Sequence, residues 1–369
     1  MTNDKQGDLS RLPGLDGLRA AAVILVLLSH FADPPASVPI VARAIQAGGF
    51  GVEIFFVLSG FLITYLLIKE ERSIGRISLS LFYARRSLRI LPPLIAYLTA
   101  LAAATIAGWI NIPPIDLWAS LLFIRNYFGS TPETGHLWTL AIEEQYYLLW
   151  PALLVLVHNF RFRIGITAAF VFLSPLWIQL CYRWADGAEH INSWRTDIRL
   201  APLAVGSLLA MVLATHRGHW FLSRSTVRGV WIATVAITTL IVVQLTSALD
   251  VPIIRAYRAT ISWLAVAILI NCLIHDSRAV LTRLAQRKPI VWIGHLSYSI
   301  YLWQQPFAPH VTGADQSVWY RAAPVNIAFA ISCDIASYYI IERPLMSLRK
   351  RLQPIANDQS RTPNRPSRN

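Results

Sequence analysis

Ten apolar stretches recur along the chain, each close to the length needed to cross a hydrocarbon core of roughly 30 Å. They cover residues 15–31, 51–68, 90–110, 137–157, 164–182, 200–215, 229–249, 260–274, 290–307 and 323–341. This pattern predicts an all-α, polytopic membrane protein with about ten transmembrane helices in contact with the lipid bilayer. Composition agrees: 55% of the residues are hydrophobic and only 14% are charged, where soluble domains carry about 25% charged residues. The expected organisation is a polar N-terminal head (1–14), a membrane domain (15–345) and a basic, disordered tail (346–369), with no soluble domain attached. The first apolar run is read as a retained span rather than a cleaved signal peptide.

Cytoplasmic loops of membrane proteins collect Lys and Arg. With the N-terminus inside, 25 of the 33 basic residues fall on the inner side and 8 on the outer, so both termini are expected in the cytoplasm. This asymmetry accounts for the net charge of +13 without a nucleic-acid partner. Cys181, Cys272 and Cys333 stand singly inside apolar runs, so neither a disulfide framework nor a metal site is expected.

Buried ionisable residues are costly in a membrane and mark candidate function. Arg19 and His30 lie eleven residues apart in the first run, which returns them to one helix face about 16 Å apart along the axis. Asp16 shares that stripe. Glu53 opens the second run from the outer side in Gly51-Val-Glu-Ile-Phe-Phe-Val-Leu-Ser-Gly. A helix N-terminus favours a carboxylate on its own account, and the functional alternative brings Glu53 close to His30. Arg85, Arg86 and Arg89 precede Leu91-Pro92-Pro93. Positive-inside topology explains their presence, while the i,i+3 spacing of Arg86 and Arg89 suits a bidentate phosphate grip. With Arg19 at the same level, the three would form an anion site facing the cytoplasm. Glu143 and Glu144 lie six to seven residues into the fourth run, within His136-Leu-Trp-Thr-Leu-Ala-Ile-Glu-Glu-Gln-Tyr-Tyr. One is placed to face a cavity while the other pairs with an arginine of a neighbouring helix. Tyr298, Tyr301 and Gln305 form a later polar stripe, read as interhelical hydrogen bonding. Glu342 and Arg343 read as a local pair at the inner interface. The Pro-Pro pairs at Pro34, Pro92 and Pro113 read as helix ends.

These segments resemble a known family, the acyltransferase-3 membrane acyltransferases, which O-acetylate bacterial polysaccharides, lipopolysaccharides and macrolides. The resemblance runs from Leu12 to about Leu345. It rests on Leu15-Asp-Gly-Leu-Arg-Ala with His30, the Gly51 and His136 motifs, Arg86-Ser-Leu-Arg89, Leu296-Ser-Tyr-Ser-Ile-Tyr-Leu-Trp and Ile341-Glu-Arg-Pro. It implies a ten-span fold in a bacterial inner membrane, with acetyl-CoA or another acyl-CoA as donor. It also implies that Arg19 and His30 are required and that Arg86 and Arg89 contribute. The family often carries a histidine where Gln304 stands and an acidic residue where Ala201 stands, so neither position joins the expected site. A hydrolase-like domain fused to some members is not seen here, and a separate periplasmic chain is the expected partner if final transfer needs one. The expected acceptor is a hydroxyl of an envelope glycan or a glycosylated small molecule. On this reading Arg19, Arg86 and Arg89 hold the CoA phosphates, and His30 acts as general base or acyl carrier. Glu143 or Glu144, or less directly Glu53, orients it. The rival reading is a transporter or flippase for a glycan or lipid-linked intermediate, which would also place charges inside the membrane. A pure structural scaffold explains those buried charges least.

Overall fold

The computed structural model describes residues 13–32, 42, 45, 47–184, 194–215, 226–245, 252–275, 279–309 and 323–346. The expected tail, most of the polar head and the Pro34 pair lie outside the described residues. Among the described residues there is no strand. The long helices are α1 (Pro13–Phe31), α2 (Phe50–Ile74), α3 (Leu79–Ile106), α4 (Leu137–Leu156), α5 (Phe160–Trp184), α6 (Ala201–Ala214), α7 (Thr226–Leu245), α8 (Pro252–His275), α9 (Lys288–Trp303) and α10 (Val325–Ala336). The π-helical segment Ser337–Glu342 continues α10. Seven helical segments of the described residues are long and apolar enough to cross a membrane; the remaining expected spans correspond to α4, α7 and α9. The protein is an all-helical, multi-pass membrane protein, and ten is an approximate count of its spans.

Two close crossings organise the bundle. Helix α6 lies along α2, where a Cβ added to Gly60 would stand 1.9 Å from the Leu203 carbonyl oxygen and one added to Gly206 would stand 1.9 Å from that of Val57. Lipid tails are as apolar as the helices, so close backbone packing replaces the hydrophobic effect as the driving force there. A buried hydroxyl chain seals the crossing. The Trp150 indole N–H donates to Thr64 Oγ1 at 2.8 Å, Thr64 donates to Ser207 Oγ at 2.7 Å, and Ser207 donates to the Gly60 carbonyl at 3.0 Å. Tyr146 reaches the same Ser207 oxygen at 2.6 Å. Helix α9 crosses α1 as closely, Gly294 lying against the Asp16 carbonyl. The main apolar core forms where α1, α2, α6 and α8 meet, around Leu15, Val57, Phe61, Val205, Trp263 and Ile270.

The prolines of α3 do not end a helix. Pro92 and Pro93 lie inside Leu79–Ile106, so the basic stretch and the apolar run form one continuous rod. Each proline lacks the N–H that would bond the carbonyl four residues back, those of Leu88 and Arg89, and a membrane helix tolerates this where local adjustments or neighbouring groups satisfy the freed carbonyls. Beside this turn the Tyr298 hydroxyl of α9 donates to the Ile90 carbonyl at 3.1 Å. Pro113 and Pro114 do behave as helix starts, opening a short helix at Pro114–Leu121. That helix belongs to a folded outer loop built around Asp116, 0% exposed, and Arg125, 2% exposed. Asp116 accepts the backbone N–H groups of Ser130 at 3.0 Å and Thr131 at 2.7 Å. Arg125 donates to the carbonyls of Phe128, Gly129 and Thr131. Burial pushes the Asp116 carboxyl up, but the bonds from Thr131 and Ser130 and the charge of Arg125 outweigh it and hold its pKa below the usual value.

Candidate active site

His30 lies near the C-terminal end of α1, and its Nδ1 is 2.8 Å from Gln304 Oε1. The Gln304 amide is oriented by its own Nε2, which donates to Gln305 Oε1 at 3.2 Å, while Gln305 Nε2 donates to the Pro132 carbonyl at 2.9 Å. The oxygen of Gln304 therefore accepts, the neutral imidazole carries its hydrogen on Nδ1, and the lone pair resides on Nε2. Gln304 and Gln305 are fully buried at the end of α9. Gln304 is the position excluded on sequence grounds as a departure from the family pattern. Its signal was present all the same, in two adjacent glutamines closing an apolar helix.

His136, at the start of α4, is the second histidine on this side. Its Nε2 donates to the Leu302 carbonyl at 3.1 Å, and its buried Nδ1 has no hydrogen-bond partner among the described residues. The ring lies between Tyr97 and Tyr301, at centroid distances of 5.7 and 5.4 Å. Tyr301 donates to the His136 carbonyl at 3.0 Å and meets Thr139 Oγ1 at 2.8 Å. His136 begins the His136-Leu-Trp-Thr motif but is not among the expected site residues, because a polar residue just ahead of a span carries little signal by itself.

Three carboxylates expected near His30 engage other groups. Glu53 Oε1 is 3.1 Å from Arg199 Nη1, and the Trp263 indole N–H donates to Glu53 Oε2. The Arg199 guanidinium in turn lies over the Trp138 ring at 5.4 Å. Glu144 pairs with Arg86 at 3.2 Å, and Arg86 stacks over Tyr147 at 3.7 Å. Glu143 is hydrogen-bonded to Ser59. Glu143 and Glu144 lie about 10 Å along α4 from its N-terminal end, so the Arg86 pair sits roughly a third of the way along that helix rather than at either end. Arg89 is within electrostatic range of Glu143, Glu144 and Glu342. Glu342 bonds Ser299 rather than forming a local pair with Arg343, whose guanidinium lies over Tyr339.

Toward the N-terminal end of α1, Arg19 Nη1 is 2.6 Å from Asp16 Oδ1, and His295 Nε2 stands 3.3 Å from Asp16 Oδ2. The structure therefore distributes the expected residues over three levels. Arg19 lies toward the N-terminal end of α1 with Asp16 and His295, the Arg86 and Glu144 pair lies at an intermediate level, and His30 lies toward the C-terminal end of α1 with Gln304 and His136. No group of His, Cys, Asp and Glu suited to a metal ion occurs among the described residues. Chemically, the His30 level offers an imidazole with its lone pair defined on Nε2, and the Arg19 level offers a cation able to share an anion with its carboxylate.

No solved structure matches the chain. Peptidoglycan O-acetyltransferase OatA of Listeria monocytogenes is 30% identical over 364 residues, covering 90% of this chain and 56% of the relative. O-acetyltransferase OatA of Staphylococcus aureus is 30% identical over 316 residues, covering 80% of this chain and 50% of the relative. The chain thus spans about half the length of the curated relatives it matches. The sequence profile described as an acyltransferase domain matches residues 12–333, a stretch that takes in all three levels of charged and polar residues. The chain belongs to the acyltransferase-3 family.

Proposed function

We propose that this protein is a membrane O-acyltransferase that moves an acetyl group from acetyl-CoA, bound from the cytoplasmic side, to a hydroxyl of an envelope glycan on the outer side. The observation that carries this reading is the first helix. It presents Arg19 at one end and, about 16 Å away, a histidine whose Nδ1 is held by Gln304 so that Nε2 is free. The donor's phosphates would share Arg19 with Asp16, and Arg86 and Arg89 would supply further positive charge deeper along its path. The names of the relatives support O-acetylation, and peptidoglycan is the acceptor that one of them prints.

Two sequences of steps fit the geometry. In direct transfer, His30 Nε2 removes the proton of the acceptor hydroxyl as its oxygen attacks the thioester carbonyl. The C–S bond then breaks and the thiolate takes up a proton. In the relay, Nε2 attacks the carbonyl and the C–S bond breaks, leaving an acyl-imidazolium and a thiolate that takes up a proton. The acceptor hydroxyl oxygen then attacks the acyl carbon, the C–N bond breaks to return neutral imidazole, and the hydroxyl proton passes to water. Glu143 and Glu144, half-buried on α4, would balance the positive charge of Arg86 and Arg89 along the route, and Glu53 would hold Arg199 at the outer rim. Isotope exchange between CoA and acetyl-CoA in the absence of acceptor supports the relay; its absence together with sequential kinetics supports direct transfer. In either case His30→Ala lowers acetyl transfer by at least about 10²-fold while the protein still inserts. Near-normal transfer in that variant would overturn the assignment of the site.

A further inference from the structure

Resting on the outer-side acceptor reading, we propose that Trp194 and Trp138, with Arg199, form a carbohydrate-binding subsite that holds a sugar ring of the acceptor beside the His30 and His136 cluster. The two indoles are parallel to within 4°, with centroids 6.1 Å apart. Trp194 is 38% exposed, so part of its aromatic surface is left uncovered by the protein. Its position is built rather than incidental. Asn126, itself buried, donates to the Trp194 carbonyl at 3.2 Å and is held by Gln145 of α4 at 3.1 Å. Arg199 lies over the Trp138 ring and is fixed there by Glu53.

A tryptophan of the interfacial belt needs only to place its ring at the headgroup level. It needs neither a parallel partner nor a buried amide holding its backbone. Pyranose rings, by contrast, expose a C–H face that packs on an indole and a rim of hydroxyls or carboxylates that a guanidinium can bond. Trp138 lies two residues after His136 on the first turn of α4. A sugar resting on this pair is thereby placed at the same membrane level as His30, and the subsite would select acceptors with a stackable ring.

The test uses the full chain in lipid nanodiscs with acetyl-CoA and, as acceptor, a tetrasaccharide of alternating N-acetylglucosamine and N-acetylmuramic acid. Trp194→Ala is expected to raise the tetrasaccharide KM about tenfold, as loss of one aromatic contact of about 1.4 kcal/mol requires. Acceptor-independent loss of the thioester should stay unchanged, and Trp194→Phe should restore most of the affinity. Trp109→Ala, at an exposed tryptophan beyond the outer end of α3, is expected to match the wild type. An unchanged KM in Trp194→Ala, an equal rise in Trp109→Ala, or a parallel fall in thioester loss would each overturn the subsite. A wild-type protein that consumes the donor but acetylates no tetrasaccharide would overturn the subsite and the glycan reading together. An active wild type with an indifferent Trp194→Ala removes the subsite alone.

Discussion

A neutral imidazole has one N–H and one lone pair, and at His30 the oxygen of Gln304 decides which nitrogen carries which. Gln304→Leu removes that constraint without altering the ring. It is expected to slow acetyl transfer about two- to tenfold, the equivalent of one net hydrogen bond, measured as the initial rate at saturating donor. An unchanged rate would show that the bond does not orient the ring. Asp116 acts by charge in the outer loop. Its folded pKa lies below the ordinary value of 3.8, so its ionised form stabilises the loop at neutral pH. That contribution falls away only as pH drops below about 3.8 through the lower folded value. Hydrogen-exchange protection of the Ser130 and Thr131 amides should therefore be flat from pH 7 to 5 and lost in stronger acid, and Asp116→Asn should lose it already at neutral pH. The ionisable residues of α1 were legible in the sequence because charge inside an apolar run is conspicuous. Gln304 and His136 were not, because their roles depend on which distant carbonyl or ring they meet.

At the scale of elements, the α2 and α6 crossing depends on the absence of side chains. Gly206→Ala places a methyl group against the Val57 carbonyl, and relief requires the two helices to separate. Loss of thermal stability in detergent is expected to exceed that of Ser207→Ala, which leaves Thr64 and Tyr146 short of a partner at about 1–3 kcal/mol. A Gly206→Ala protein as stable as the wild type would contradict the close crossing. Helix α3 shows where local rules mislead. Pro92 and Pro93 are helix breakers by backbone chemistry, and a single-sequence reading ends the helix there. In the folded protein the helix runs on through both prolines and is tied to α9 by the Tyr298 bond to the Ile90 carbonyl, so Arg86 and Arg89 share one rod with the apolar run.

For the molecule as a whole, a charged pair inside the membrane is the most consequential feature. Arg86 and Glu144 offset one another, and removing either alone strands a charge at a cost of about 3–5 kcal/mol. Arg86→Met and Glu144→Met are each expected to destabilise the protein by that order, and the double variant by clearly less than their sum, read from thermal unfolding in nanodiscs. Additive losses would mean that the pair is not coupled. The all-helical, multi-pass architecture and the long reach between Arg19 and His30 followed from the sequence by itself, because apolar length and helical period are properties of local stretches. The partners were decided by tertiary structure alone: Gln304 for His30, Arg199 for Glu53, Arg86 for Glu144, Asp16 for both Arg19 and His295. All but the pairing of Asp16 with Arg19 join residues distant in the chain, and which of them meet depends on how the glycine crossings and the bends of whole helices set rotation and depth. No local period encodes that.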